Sequence, residues 1–162
     1  MNNEEGLTIE FKGRVKEIFE RLDSKGFVEV GIIGDKVKTE DGDVSVAYYG
    51  AVHEFGDPEH NIPMRSFLRK PLNAKLNKYL SKHFAKIVGE IFKGEKEKVL
   101  HKIGLVAKNI VLNSFKTRGV NQEWPDLSDE TVARKGVDTP LIDTGALRQS
   151  IDYKVTLKKE IE

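Results

Sequence analysis

Two groups of side chains in this 162-residue sequence could do chemistry through charge or metal binding. His53-Glu54, with His60 shortly after, offers imidazoles and a carboxylate, the donors that hold zinc. The metalloprotease motif needs a second His four residues after the first, and Asp57 stands there instead. With no Cys in the chain, a closed site would have to gather His53, His60, His83, His101 or carboxylates from scattered places. No metal or other cofactor is therefore expected. The second group is a lysine stripe, Lys75, Lys78, Lys82 and Lys86, on one side of a predicted helix over 67–93, which could track nucleic-acid phosphates. Glu90, Glu95 and Glu97 soon offset it, and 27 basic against 26 acidic residues leave a net charge of +1. A solvated helix face is the plainer reading.

A third candidate is Leu141-Ile-Asp-Thr-Gly-Ala146, the active-site signature of dimeric retroviral-type aspartic proteases, in which paired Asp residues share a proton and activate water. Such an enzyme needs a flap hairpin and a supporting strand after its Asp-Thr-Gly, and too little chain follows Gly145 for both. Asp143, Thr144 and Gly145 read instead as a structural turn or cap ahead of an inward-facing Leu147. There is no Gly-rich phosphate loop, nucleophile elbow or dinucleotide fingerprint. The chain is not expected to be an enzyme. Pepstatin-sensitive cleavage lost in Asp143→Asn would speak for the protease, and salt-dependent DNA retention lost with the stripe lysines for a nucleic-acid-binding module.

The elements that must position these residues follow from periodicity. Phe11, Val15, Ile18, Phe19 and Leu22 recur at helical steps, predicting an N-terminal helix from Ile9 to Leu22. Phe27–Ile33 is β-branched and reads as a strand, and Asp35 to Asp43 as a hairpin tip or loop. Tyr48, Tyr49, Val52 and Phe55 favour a short helix that ends at Gly56 with a left-handed cap. Phe67, Leu68, Leu72, Leu76, Leu80, Phe84, Ile87 and Ile91 hold a helical period, with Pro71 tolerable only near its start. Past Gly94, Val99 to Phe115 repeats the pattern, so an αα-hairpin is predicted. Ser128-Asp-Glu-Thr marks the start of a short helix stopped by Gly136 and Pro140. Ser150 to Leu157 alternates as a strand, and the charged tail 158–162 is expected to fray. The result is a single α+β domain over 1–162: a small, mostly antiparallel sheet with room for one strand between its two, packed against a pair of long antiparallel helices, plus the N-terminal helix. No apolar run is long enough to span a bilayer, and the acidic N-terminus lacks the basic region of an export signal, so a membrane partner is not expected.

Several individually ordinary pieces are jointly unusual: Ala47-Tyr-Tyr-Gly-Ala-Val-His-Glu-Phe-Gly56, Ile62-Pro-Met-Arg-Ser-Phe-Leu-Arg69, Trp124-Pro-Asp-Leu-Ser128, Thr131, Arg134-Lys-Gly136 and Pro140-Leu-Ile-Asp-Thr-Gly-Ala-Leu147 with Ser150-Ile151. In order and spacing they resemble the virion morphogenesis or tail completion proteins of tailed bacteriophages, including those like Mu protein G and P2 protein S. The likeness covers residues 47–155. It departs at Met64, where a small residue is commoner, and the loop 57–61 is variable in such proteins. The resemblance implies a non-enzymatic assembly protein of the neck at the head–tail junction, built in the bacterial host cytoplasm as a ring-like homo-oligomer that contacts connector or tail proteins. In that setting Tyr48, Tyr49 and Phe55 are expected to pack the segment onto the fold. His53, Glu54, Arg65 and Arg69 would face a neighbouring subunit, or form pairs that orient the segment, with an intramolecular salt bridge as the alternative. Arg65→Glu is then expected to abolish assembly and leave the monomer folded.

Overall fold

The computed structural model describes residues 17, 25–33, 45–136, 138–141 and 145–158. The predicted helix 9–22, apart from a helical Glu17, and the predicted loop 35–43 lie outside them, as do Asp143, Thr144 and the tail 159–162. The fold is α+β. Strand β1 (Lys25–Ile32) pairs antiparallel with β2 (Ile151–Lys158), with Val28 opposite Val155 and Ile32 opposite Ile151. Among the described residues the sheet has these two strands, and the segment just before Phe55 is helix, not an intervening strand.

Helix α1 (Val46–Phe55) starts where Ser45 Oγ accepts from the Tyr48 N–H at 3.2 Å. It ends at Gly56 with φ 78° and ψ 164°, not the left-handed helical cap expected. The chain has to leave the helix extended so that Asp57 and Ile62 can exchange backbone hydrogen bonds, each 2.8 Å, around a 3-10 turn at Pro58–His60. A positive φ with an extended ψ is a region open essentially to Gly alone.

Helices α2 (Arg69–Phe92) and α3 (Lys96–Lys116) form the predicted hairpin, turned by Gly94 at φ 85°. Bonds at both ends fix their antiparallel sense: Lys102 Nζ meets Glu90 at 2.8 Å beside the turn, and Ser114 Oγ donates to the Phe67 carbonyl at 2.9 Å at the far end. The two helices do not share the sheet equally. α3 lies across both strands, whereas α2 packs on α3 and reaches the core only near its start, through buried Pro71 and the partly buried Leu68 and Leu72. Phe84, predicted on the apolar side of α2, is 66% exposed. Gly104 lets α3 sit against β2, because a Cβ there would overlap the Tyr153 ring.

Helix α4 (Asp129–Lys135) has the N-terminus its sequence predicts, with Ser128 Oγ accepting from the Thr131 N–H, acids in the first turn and Gly136 closing it at φ 72°. Gly145, at φ 83°, opens the single turn α5 (Ala146–Gln149), and Leu147 is buried as expected. The core joins these elements through Val46, Phe67, Val111, Phe115, Trp124, Leu141, Leu147 and Ile151. Phe115 lies between two rings, with centroids 5.3 Å from Phe67 and 6.0 Å from Trp124. Each such buried ring contributes roughly 1.5–3 kcal/mol by leaving water.

Candidate functional site

Glu54 is on the inner side of the last turn of α1 and only 4% exposed. A carboxylate this deep must be fully hydrogen bonded or it would cost several kcal/mol. It meets that demand with five bonds. Oε1 accepts from Ser66 Oγ at 2.7 Å, the Arg69 N–H at 3.0 Å and Arg69 Nε at 3.1 Å. Oε2 accepts from the Phe67 and Leu68 N–H groups, both at 2.9 Å. These backbone donors are at the start of α2, whose own N-cap residue, Leu68, has no side chain able to cap. Glu54 is thus the cap of α2, the longest helix among the described residues, supplied from another element and bringing negative charge to the positive end of its dipole. Ser66 completes the job by accepting the Lys70 N–H at 3.1 Å.

Arg65 closes the other side of the same segment. Its backbone N–H donates to the His53 carbonyl at 2.8 Å. Its guanidinium, in a residue 5% exposed, donates from Nε and Nη2 to the Pro125 carbonyl and from Nη2 to the Asp126 carbonyl, at 3.0–3.2 Å. Trp124, buried beside them, donates its indole Nε1–H to the Ser66 carbonyl at 3.2 Å. Ser114 from α3 reaches the next carbonyl, that of Phe67. Gly119, at φ 93°, lets the chain pass Trp124, since a Cβ there would be 2.8 Å from Nε1. Residues 65–69 are therefore clamped between the end of α1 and the stretch 124–126.

This geometry divides the four residues proposed to face a neighbour. Glu54 and Arg65 are turned inward and held by intramolecular bonds, Arg65 through Nε and Nη2, because an unpaired ion at either depth would be unstable. Arg69 is half exposed and does two things, bonding Glu54 and placing its guanidinium 4.3 Å from the centre of the Phe55 ring. His53 lines a cleft next to the clamp. The expected packing of the aromatics is reversed: Tyr48 is 63% and Phe55 61% exposed, with Tyr49 and Met64 also at the surface. Residues facing the core from α1 are the small Gly50 and the buried Val46 and Glu54. Arg65→Glu would place a carboxylate against the carbonyls of Pro125 and Asp126, so it is expected to unfold the segment.

The cleft, about 530 Å³, is bounded by α1, the loop at 60–63 and the chain around α4. His53, Arg65, Arg134 and Lys135 line it, with Tyr49, Ile62, Leu127 and Leu141 as apolar wall. Burial, then the neighbouring Arg65 and Lys135 cations, push the His53 imidazole down to about 4. Its buried Nδ1 has no hydrogen-bond partner among the described residues. His60, the other candidate ligand, is committed to Asp57, Nδ1 to Oδ2 at 2.8 Å. Among the described residues no three His, Asp or Glu side chains gather as a metal ion would need, and no helix is long and apolar enough to cross a membrane. Ser114 escaped the sequence reading, and Ser66 and Trp124 entered it only as members of the quoted stretches, without these roles. The signal for Ser114 was a lone hydroxyl between Val111 and Phe115 on the buried side of a helix, where it needs a backbone acceptor. Compared with protein-family models, curated proteins and solved structures, the chain matches none.

Proposed function

We propose that this chain is a non-enzymatic assembly protein of a tailed bacteriophage, a tail completion or neck component that works as a ring of identical subunits at the head–tail junction. One observation carries the reading. Three of the pieces on which the resemblance rests, residues 47–56, 62–69 and the sequence-distant 124–128, are joined here into one bonded unit by Glu54, Arg65 and Trp124. Bonding between the pieces supports the reading by giving their joint occurrence a physical reason. The unit buries Glu54 and Arg65 and leaves Tyr48 and Phe55 outside, so subunit contact is assigned to Tyr48, Phe55 and Arg69 in place of Glu54 and Arg65. Exposed aromatic and Arg side chains are the types that dominate protein interfaces. The mass of the purified protein in solution, measured across concentration, tests this. The expected result is an oligomer that Phe55→Glu reduces to a folded monomer, and a wild-type chain monomeric at every concentration, alone and with tails, would refute it.

A nucleic-acid-binding reading retains one specific support. Lys75, Lys78, Lys82 and Lys86 have no hydrogen bond or ion pair among the described residues, whereas Lys70, Lys98, Lys102 and Lys108 are all paired with acids. Retention on DNA that falls with salt and is lost when these four lysines become glutamine would favour it.

A further inference from the structure

We infer that the cleft between α1 and α4 is a binding site for a carboxylate carried on a peptide segment of a protein partner. The inference rests on the cleft alone and does not require the phage reading. Three cationic side chains, Arg65, Arg134 and Lys135, line it beside His53. The carboxylate lining it is that of Asp126, which is turned to Arg118, Oδ1 to Nη1 at 2.7 Å. Lys135 donates to the Thr139 carbonyl at 3.0 Å, and Arg65 Nη1 takes no part in the bonds that hold Arg65 to the chain around Pro125. Arg134 is exposed and has neither hydrogen bond nor ion pair among the described residues. Among the described residues the cleft thus concentrates positive charge that Asp126 offsets only in part. The His53 ring that lines it also has a buried Nδ1 with no hydrogen-bond partner among the described residues, an unusual condition for a polar atom in a folded chain.

The walls narrow the ligand class. Tyr49, Ile62, Pro63, Leu127 and Leu141 give the cleft an apolar lining suited to an aliphatic stem, and Ser128 and Thr131 add hydroxyl groups at one side. An acidic side chain, or a chain-terminal carboxylate with its last side chain, satisfies both features. An entering anion would offset the field of Arg65 and Lys135 at His53, so it would make that imidazole easier to protonate. Binding and His53 titration are therefore linked, which gives a readout independent of any assembly assay.

The test is an NMR titration of the whole protein, following the His53 ring, with three capped tripeptides: acetyl-Ala-Glu-Ala-amide, acetyl-Ala-Gln-Ala-amide and acetyl-Ala-Ala-Ala with a free C-terminus. Inorganic phosphate is a fourth arm. Saturable binding of one or both carboxylate peptides is expected, roughly millimolar for so small a probe. The His53 pKa should rise with it, and binding should weaken about tenfold or more in Arg134→Ala/Lys135→Ala, whose remaining amide spectrum should match wild type. Comparing the Glu peptide with the free-acid peptide tells a side-chain carboxylate from a terminal one. No shift of His53 at saturating peptide, equal binding of the Gln peptide, indifference to the double variant, or phosphate binding more tightly than either carboxylate would each overturn the proposal.

Discussion

Glu54 accepts five hydrogen bonds, three of them from backbone N–H groups around the start of α2. Gln in its place keeps the shape but loses the charge and turns an NH2 group toward donors. Glu54→Gln is expected to destabilise the protein by about 2–4 kcal/mol, read from urea denaturation. A loss under about 1 kcal/mol would mean the cap is not what holds this segment. His53 sets a pH dependence. Its pKa falls from 6.5 to about 4 on folding, because of burial and then of Arg65 and Lys135, so below pH 6.5 the unfolded chain binds the proton that the folded chain refuses. Stability from this group is complete above pH 6.5 and is lost as pH drops towards 4, by up to about 3 kcal/mol. His53→Gln should flatten the denaturation profile across that window, and an unchanged slope would contradict the assignment.

The elements were legible in the sequence wherever one local signal decided them. Ser128 with two acids behind it, Gly94 between two apolar stripes and the alternation of Ser150 to Leu157 each gave the observed element. What stayed hidden was direction. A His-Glu pair on a helix does not say which way it points, and Glu54 turns inward because the uncapped N-terminus of α2 lies there, a contact fifteen residues away at its farthest. With Glu54 and the small Gly50 inside, Tyr48 and Phe55 are left outside. The α1 exit shows the same dependence on distant chain. Gly56 holds φ 78° and ψ 164°, and a Cβ there would stand 2.9 Å from the Met64 backbone nitrogen. Gly56→Ala is therefore expected to cost at least about 2 kcal/mol, measured by thermal or urea unfolding, since both the backbone region and the space are denied to Ala. A near-neutral result would show that the 57–62 bridge can shift freely.

At the scale of the molecule, the sequence implied its α+β class through two strands and two long helices, and the structure adds an asymmetry. α3 is the helix seated on the sheet, while α2 projects from a clamped N-terminus with a single buried residue, Pro71. Among the described residues, this fold presents the outer face of α1, the cleft beside it and the side of α2 turned away from α3. That layout suits the contact role proposed for the chain. The proposal places this gene in a tailed phage, and particle completion in that phage is its direct measurement. With the gene disrupted, heads and tails should accumulate unjoined. The wild-type chain should restore infectious particles, Phe55→Glu should fail although it folds, and a lysine-free stripe on α2 should succeed. Normal particles formed without the gene, or full rescue by Phe55→Glu, would contradict the account.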